Sequence, residues 1–395
     1  MEYKLLSEVS VYRKDRIGSD KVNKENYIST ENMLPNRGGV ENATTVASAK
    51  SFPAYKKGDI LLSNIRPYFK KIWYATQEGG CSNDVLVVTA GKTVDSKFLY
   101  YVLSDNNFFN YSTMTAKGTK MPRGSQTAIM KYWVPNLDLP TQKKIADILS
   151  SYDELIKANN ERIELLEHTA QELYKEWFVR FRFPGYENTK FEDGIPEGWE
   201  IKRIVDLFDI TSSKRVYLAD YVDAGIPFYR SKEIIQLSQG QAITEPLYIS
   251  NAAYENFKSK YGAPEKNDIL ITSVGTIGVS YLVDGHEFYF KDGNLTWIKS
   301  GSNKVLSLFL FQWLNSQSGK QQLLQSTIGT SQSALTIENL KKIKLLVPTK
   351  ALIEDYYQKA HVMLEQKSAL QMNNRNLAVQ RDMLLPRLMS GKLEV

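Results

Sequence analysis

The sequence predicts an α+β protein in which two duplicated mixed α/β domains are separated by two long helices forming an antiparallel coiled coil. Two observations carry that reading. A heptad pattern of apolar residues occurs twice, and the segments around each occurrence repeat, so that Pro140-Thr141 and Pro348-Thr349 lie 208 positions apart.

The first pattern runs from Thr141 to about Phe181. Leu149, Ile156, Ile163, Ala170 and Trp177 form one row, and Ile145, Tyr152, Asn159, Leu166 and Leu173 the next, spaced alternately by three and four as in an a/d seam. Thr141 is expected to cap the first turn after Pro140, and the helix should form a rod of roughly 60 Å at about 1.5 Å per residue. From Thr349 to Leu385 the spacing recurs at Ile353, Tyr356, Ala360, Met363, Leu370, Leu377 and Leu384. Pro386 is expected to end this helix, because it lacks a donor and crowds the preceding turn. Lys367, Asn374 and Arg381 make its seam too polar to stand alone, so it needs a partner, and the first helix is the nearest. Polar seam residues, Asn159 included, more often fix register than carry chemistry. The expected boundaries are 1–139 for the first domain, 140–182 for the first helical spacer, 183–347 for the second domain and 348–395 for the second spacer.

The two domains repeat in order. Lys4 to Val9 matches Lys202 to Leu207, each an opening strand or short helix, and Tyr27 to Glu31 matches Tyr229 to Glu233, each a strand end followed by a loop. The strongest match sets Lys57-Gly58-Asp59-Ile60-Leu61-Leu62-Ser63 against Lys266-Asn267-Asp268-Ile269-Leu270-Ile271-Thr272: a turn residue and Asp precede a short buried strand. Phe98 to Leu103 and Phe309 to Leu314 read as packed helices. Each precedes a Gly, Ser and Thr-rich loop holding Ser125-Gln126 or Ser331-Gln332, then a strand ending at Val134-Pro135 or Val347-Pro348. An antiparallel pairing of the two helices would then hold the domains at opposite ends of a rod.

Composition sets the bounds. A chain of 395 residues can hold two cores, and its single cysteine, Cys81, excludes an internal disulfide framework and reads as a buried, inert thiol. No apolar run reaches the ~18 residues of a membrane span, and a cytoplasmic protein is expected. The net charge of +6 resides in the first domain: residues 1–139 hold 19 basic and 13 acidic side chains, against 17 and 18 in residues 183–347. A basic surplus is a weak pointer to nucleic acid.

Catalytic constellations are missing. Gly91-Lys92-Thr93 has Leu86 where a phosphate-binding loop needs its first glycine, no His-Glu-x-x-His occurs, and His168, His286 and His361 are far apart. Gly275-Thr276-Ile277-Gly278 reads as a tight turn. Binding chemistry is better represented. Lys56, Lys57, Asn64, Arg66, Tyr68, Lys70, Lys71 and Trp73 interleave basic, amide and aromatic side chains around one strand, as phosphate contacts with some base readout require. Lys117, Lys120, Arg123, Ser125 and Gln126 form a second basic loop. Lys214, Arg215, Arg230, Ser231 and Lys232 are the expected equivalents in the second domain, with Ser273, Thr276, Ser331 and Gln332 as polar candidates. Any one of these is more often a plain surface residue; the sets carry the reading.

These features together resemble the specificity subunits of bacterial type I restriction-modification systems over essentially the whole chain. The matching pieces are the duplicated Gly/Asn-Asp-Ile-Leu strand, Leu139 to Leu149 at the start of the first helix, Glu172 to Gly185 at its end, and Leu384-Leu385-Pro386-Arg387-Leu388 with Ser390-Gly391. One departure is Thr349-Lys350-Ala351, where a carboxylate usually follows the proline. The resemblance implies two target-recognition domains, each reading half of a split site in double-stranded DNA. It implies helical spacers that dock two adenine-methylating subunits, with separate ATP-driven restriction and translocation subunits. No catalytic centre, metal or cofactor is then expected in this chain, the partners using S-adenosylmethionine and ATP with Mg. The competing readings are a single-chain DNA-modifying enzyme and a coiled-coil adaptor. An adenine methyltransferase needs an Asn/Asp-Pro-Pro-aromatic motif for the extruded base, and the chain has no Pro-Pro pair. An adaptor would leave two large domains without a task.

Overall fold

The computed structural model describes residues 2–393 apart from Ala242, Thr244, 330–332 and Gly391. It divides into two compact units, Met1–Lys157 with Asn376–Val395, and Ala158–Arg375. Each unit therefore takes one globular domain and a stretch of both long helices, and the spacers expected at 140–182 and 348–395 are shared between the units.

In the first unit the opening strand Tyr3–Leu5 pairs antiparallel with Trp133–Pro135. A four-stranded antiparallel sheet follows in the order Ser10–Tyr12, Val85–Ala90, Ile60–Ser63, Ile72–Tyr74. Ile60 and Leu61 are fully buried, as a short apolar run in a central strand requires. The turn before this strand puts Gly58 at φ +90°, and buried Asp59 closes it by accepting from the Lys56 N–H at 2.7 Å. Helices Ser96–Ser104 and Asn106–Met114 complete the domain; Phe98, Leu99 and Leu103 of the first of them enter the core with Ile60 and Val88. A second sheet holds Arg16–Gly18, Ser51–Tyr55, Gly79–Cys81 and Tyr27–Ile28, the last two parallel.

The second unit repeats the first sheet strand for strand: Asp209–Thr211, Leu295–Lys299, Ile269–Thr272, Ser280–Leu282. Asn267 takes the left-handed turn position at φ +75°, and Asp268 accepts from the Glu265 N–H at 2.9 Å, repeating the Asp59 bond. Strand Glu200–Arg203 pairs with Lys344–Val347 as the opening pair does in the first unit. Gly275 and Gly278, with φ of +77° and +84°, form the expected tight turn between strands Ile269–Thr272 and Ser280–Leu282.

Local differences from expectation have physical causes. A helix, Ser231–Ser238, starts where a loop was expected after Tyr229, and the helices Asn106–Met114 and Gln317–Gln325 occupy stretches read as loop. Each has a side-chain or ion-pair start signal: Asp105 accepts from Asn107, Ser316 from Gly319, and Glu233 from Arg230. Cys81 is fully buried, and burial pushes its thiol up to about 12.

The first long helix spans Leu139–Tyr174 and continues as a π-helical turn, Lys175–Val179. Its cap is Asp138 rather than Thr141: the Asp138 carboxylate accepts from the Thr141 N–H at 3.1 Å, and its carbonyl from Gln142. Leu139 and Pro140 thus lie inside the first turn, where proline's missing N–H costs nothing. The second long helix, Lys350–Met389, runs through Pro386. Leu385, Leu388 and Met389 are buried in the core of the first unit with Ile145 and Leu149, and that packing offsets the roughly 3 kcal/mol of an interior proline.

The seam residues pair as the heptads require. In the second unit Ala170, Tyr174, Trp177 and Phe178 share a core with Ile353, Tyr356 and Ala360. There Asn160 meets Asn374 and Glu167 meets Lys367, so a step of seven forward on one helix is a step of seven back on the other, which is antiparallel pairing. The polar residues Lys367, Asn374 and Arg381 each find a polar partner across the seam.

Candidate nucleic-acid interface

The same two loops meet in both domains. In the first, the chain leaving strand Ile60–Ser63 at Asn64 to Arg66 receives a hairpin-like loop running from Lys117 to Arg123. Lys117 and Arg123 exchange two backbone hydrogen bonds of 2.8 Å, the Gly124 N–H donates to the Asn64 carbonyl at 2.9 Å, and the Arg66 N–H donates to the Pro122 carbonyl at 2.8 Å. Ser125 then caps helix Gln126–Ile129 through the Ala128 N–H. In the second domain Ile328 and Ala334 exchange the equivalent pair, and the Leu335 N–H donates to the Ser273 carbonyl at 2.9 Å. Thr336, not Ser331, takes the capping role of Ser125, through the Asn339 N–H. Ser331 and Gln332 lie outside the described residues.

The first domain's face is basic. Lys117, Lys120 and Arg123 are exposed beside Tyr68, Met114 and Met121, apolar side chains that also face solvent. Arg123 forms an ion pair of 3.2 Å with Asp84 while keeping 59% of its side chain exposed, so its guanidinium remains open to another anion. Asn64 Oδ1 and Arg66 Nε are buried without a hydrogen-bond partner, a costly condition that a ligand's polar atoms could relieve. Arg66 also holds a left-handed backbone at φ +50°, with Asn36, Arg37 and Lys70 in the same state. These are four of the seven such non-glycine residues among the described residues, and they line two strapped loops: Asn36 donates to the Phe69 carbonyl and Arg37 to that of Lys70.

Other expected residues sit elsewhere. Lys56 and Lys57 lie at the start of the central strand, the end opposite Asn64. Lys70 donates to Asn106 at 2.8 Å and Lys71 to the Thr30 carbonyl at 2.5 Å, and burial lowers the Lys71 ammonium from its ordinary range. Trp73 packs edge-on against Tyr55. Gln126 is exposed on its short helix, its carbonyl accepting from the Tyr12 hydroxyl at 3.1 Å.

In the second domain the turn 292–294 brings together Ser231, Ser273 and Arg215. The Asn294 carbonyl accepts from both the Ser273 N–H, at 2.9 Å, and the Ser231 hydroxyl, at 3.2 Å. Arg215 pairs with Asp292 at 3.3 Å, and Lys214 lies over the Tyr261 ring. Lys232 and Thr276 are exposed. The Ser273 hydroxyl is buried on Thr296 at 2.7 Å. Arg230 is committed to a two-point bond with buried Glu233, at 2.6 and 3.1 Å. Sequence reading missed the residues that close each face, Asp84 and Asn294. Their signal was present, since Asn83-Asp84 and Gly293-Asn294 are turn pairs placed alike before the apolar strands Val85–Ala90 and Leu295–Lys299.

Among the described residues no three His, Cys, Asp or Glu side chains are grouped to hold a metal ion, and no helix is long and apolar enough to cross a membrane. His286 is held between Asp284, at 2.5 Å, and the Tyr229 hydroxyl, at 3.2 Å, while His361 lies 3.4 Å from Glu365.

Two duplicated mixed domains alternating with two long helices match the architecture expected of a type I specificity subunit. The model of the type I restriction modification DNA specificity domain matches residues 6–168 and again 196–363, and the chain belongs to that family. The chain is 26% identical to the MjaIX type I restriction enzyme specificity subunit of Methanocaldococcus jannaschii over 369 residues, 90% of this chain and 81% of that protein. It is 22% identical to the HindI specificity subunit of Haemophilus influenzae, across 88% of this chain and 90% of that one. The fold resembles a crystal structure of the type I restriction-modification S subunit from M. genitalium, with a TM-score of 0.59 at 16% identity, covering 98% of this chain and 95% of the other.

Proposed function

We propose that this chain is the DNA-recognition and assembly subunit of a type I restriction-modification complex. Each domain reads one half of a bipartite target in double-stranded DNA, and the long helices dock methyltransferase subunits. One observation carries the reading most strongly. The loop after the central strand and the loop before the short capped helix are hydrogen-bonded together at the same place in both domains, and in the first they carry open cations beside unpartnered buried polar atoms. That is a phosphate-contacting face with base-reading side chains at its centre. Asn64, Arg66, Lys117, Lys120 and Arg123 are proposed for the first half-target, and Lys214, Arg215, Lys232 and Thr276 for the second. Lys70, Lys71, Ser125, Arg230 and Ser273 hold the loops in place.

Docking is supported by apolar side chains that the helices leave in solvent: Leu155 and Leu165 on the first, Met372, Val379 and Met383 on the second. Phe178 and Leu385 each follow a seam residue and on heptad position alone would lie beside it in solvent, but they are buried, because they pack into the cores of the second and first unit respectively. The chain itself contributes no catalytic group in this reading; S-adenosylmethionine belongs to the methyltransferase partners, and ATP with Mg to the restriction subunits. The test is methylation of target DNA by the purified chain alone and after addition of the methyltransferase subunit. Methylation only in the mixture supports the proposal, whereas methylation or cleavage by the chain alone would make it an enzyme.

A further inference from the structure

The polar rungs of the helix pair are segregated by sign. On the first long helix Asp153, Asn160 and Glu167 are each seven residues apart, and on the second so are Lys367, Asn374 and Arg381. In the first unit Asp153 pairs with Arg381, the two side chains 33% and 20% exposed. In the second unit Glu167 pairs with Lys367, 40% and 16% exposed. Between them in sequence, Asn374 accepts from the Asn159 amide and donates to Asn160, both at 2.8 Å. One helix therefore shows a row of acid, amide, acid, and the other a row of base, amide, base. The apolar seam residues have no such polarity and would accept either helix as a partner.

We propose that these rows form a pairing code that makes the first helix complementary to the second and each helix incompatible with a copy of itself. An antiparallel pairing of the first helix with another first helix about Asn160 sets Asp153 against Glu167. The same arrangement of two second helices about Asn374 sets Lys367 against Arg381. Like charges in half-buried positions along the seam's edge oppose association, and the amide rung excludes a slip of one heptad, which would face Asn374 with a carboxylate and leave a charge of the other helix unanswered. The partner that an opened seam fits is accordingly the opposite helix of a second copy of this chain, in a reciprocally exchanged dimer. The code is independent of what the domains bind.

The test uses full-length chains with inverted rows. One variant carries Asp153→Lys with Glu167→Lys, the other Lys367→Glu with Arg381→Glu. Each alone places like charges across its own seam and should melt several degrees below the unaltered chain. Mixed, they should give a heterodimer of twice the chain mass by light scattering or native mass spectrometry. In that dimer the inverted first helix meets the inverted second helix, and the two unaltered helices meet each other. All four substitutions in one chain should restore a monomer and most of the lost melting temperature. The proposal is overturned if the four-substitution chain melts no higher than its two-substitution parents, if those parents melt like the unaltered chain, or if the mixture stays monomeric.

Discussion

In the first domain the parallel pair Tyr27–Ile28 and Gly79–Cys81 is extended through Gly79–Cys81, which takes Ser51–Tyr55 on its other side. In the second, the corresponding pair Ile226–Tyr229 and Tyr289–Phe290 is extended through the first-named strand, which takes Leu247–Ile249. The other sheet, with its buried Asp and its two following helices, is the same in both. The two domains thus agree in one sheet and diverge in the other. The shared sheet positions the loop pair, and the rearranged sheet changes which side chains surround it. Strained loops with Lys117, Lys120 and Arg123 in solvent stand at the first face; a turn that gathers Ser231, Ser273 and Arg215, with Arg230 held on buried Glu233, stands at the second. Two faces with such different chemistry are suited to reading different half-targets.

The largest expected effect concerns what the domains share. Asp59 is buried and accepts from Arg13, Thr89 and the Lys56 N–H; Asp268 accepts from Trp297, Ser300 and the Glu265 N–H. Asp59→Ala takes a buried acceptor from the Arg13 guanidinium, which keeps its ion pair with Asp15, and from Thr89 and the Lys56 N–H, and should cost about 2–4 kcal/mol. Asp268→Ala strands neutral donors and should cost about 2–4 kcal/mol. Calorimetry that finds one substitution silent would break the equivalence of the two turns.

Next come the differences. Arg123→Ala should weaken DNA binding about 5- to 160-fold and lower the salt slope by about one, from a lost phosphate or base contact of about 1–3 kcal/mol. Arg230→Ala should instead act on stability, because it uncovers a carboxylate, that of Glu233, only 1% of whose side chain is exposed. A melting temperature unchanged by Arg230→Ala, together with a reduced salt slope, would move Arg230 onto the binding face.

The smallest effect is a probe of burial. Cys81 should resist alkylation at pH 8 until the first domain unfolds. Its folded value lies above the ordinary 9.0, so its contribution to stability is full below that pH and is lost as the pH rises toward 12. Rapid labelling of the native chain would show that this sheet opens.

Much of this was legible in sequence. The long helices declare themselves by period, and the duplicated strand by a turn residue and an Asp that only a buried closure explains. Their ends were not legible: Asp138 outcompetes Thr141 for the cap, and Pro386 is carried inside a helix by the burial of Leu388 and Met389. The rearranged sheet was hidden because strands of two or three residues, such as Tyr27–Ile28, carry no readable period. At the candidate site, the residue sets were visible as charge clusters. Pairings such as Arg230 with Glu233 or Lys70 with Asn106 separate a holding role from a binding one, and they depend on folded geometry.

The central claim is that each loop pair reads its own half of a divided target. Mapping methylated adenines in DNA from cells carrying the complex, with the unaltered chain and with Lys117→Ala and Arg123→Ala together, tests it directly. The account predicts that one half of the recognised sequence is relaxed or lost while the other half is unchanged. A map in which both halves change alike, or neither does, would contradict it.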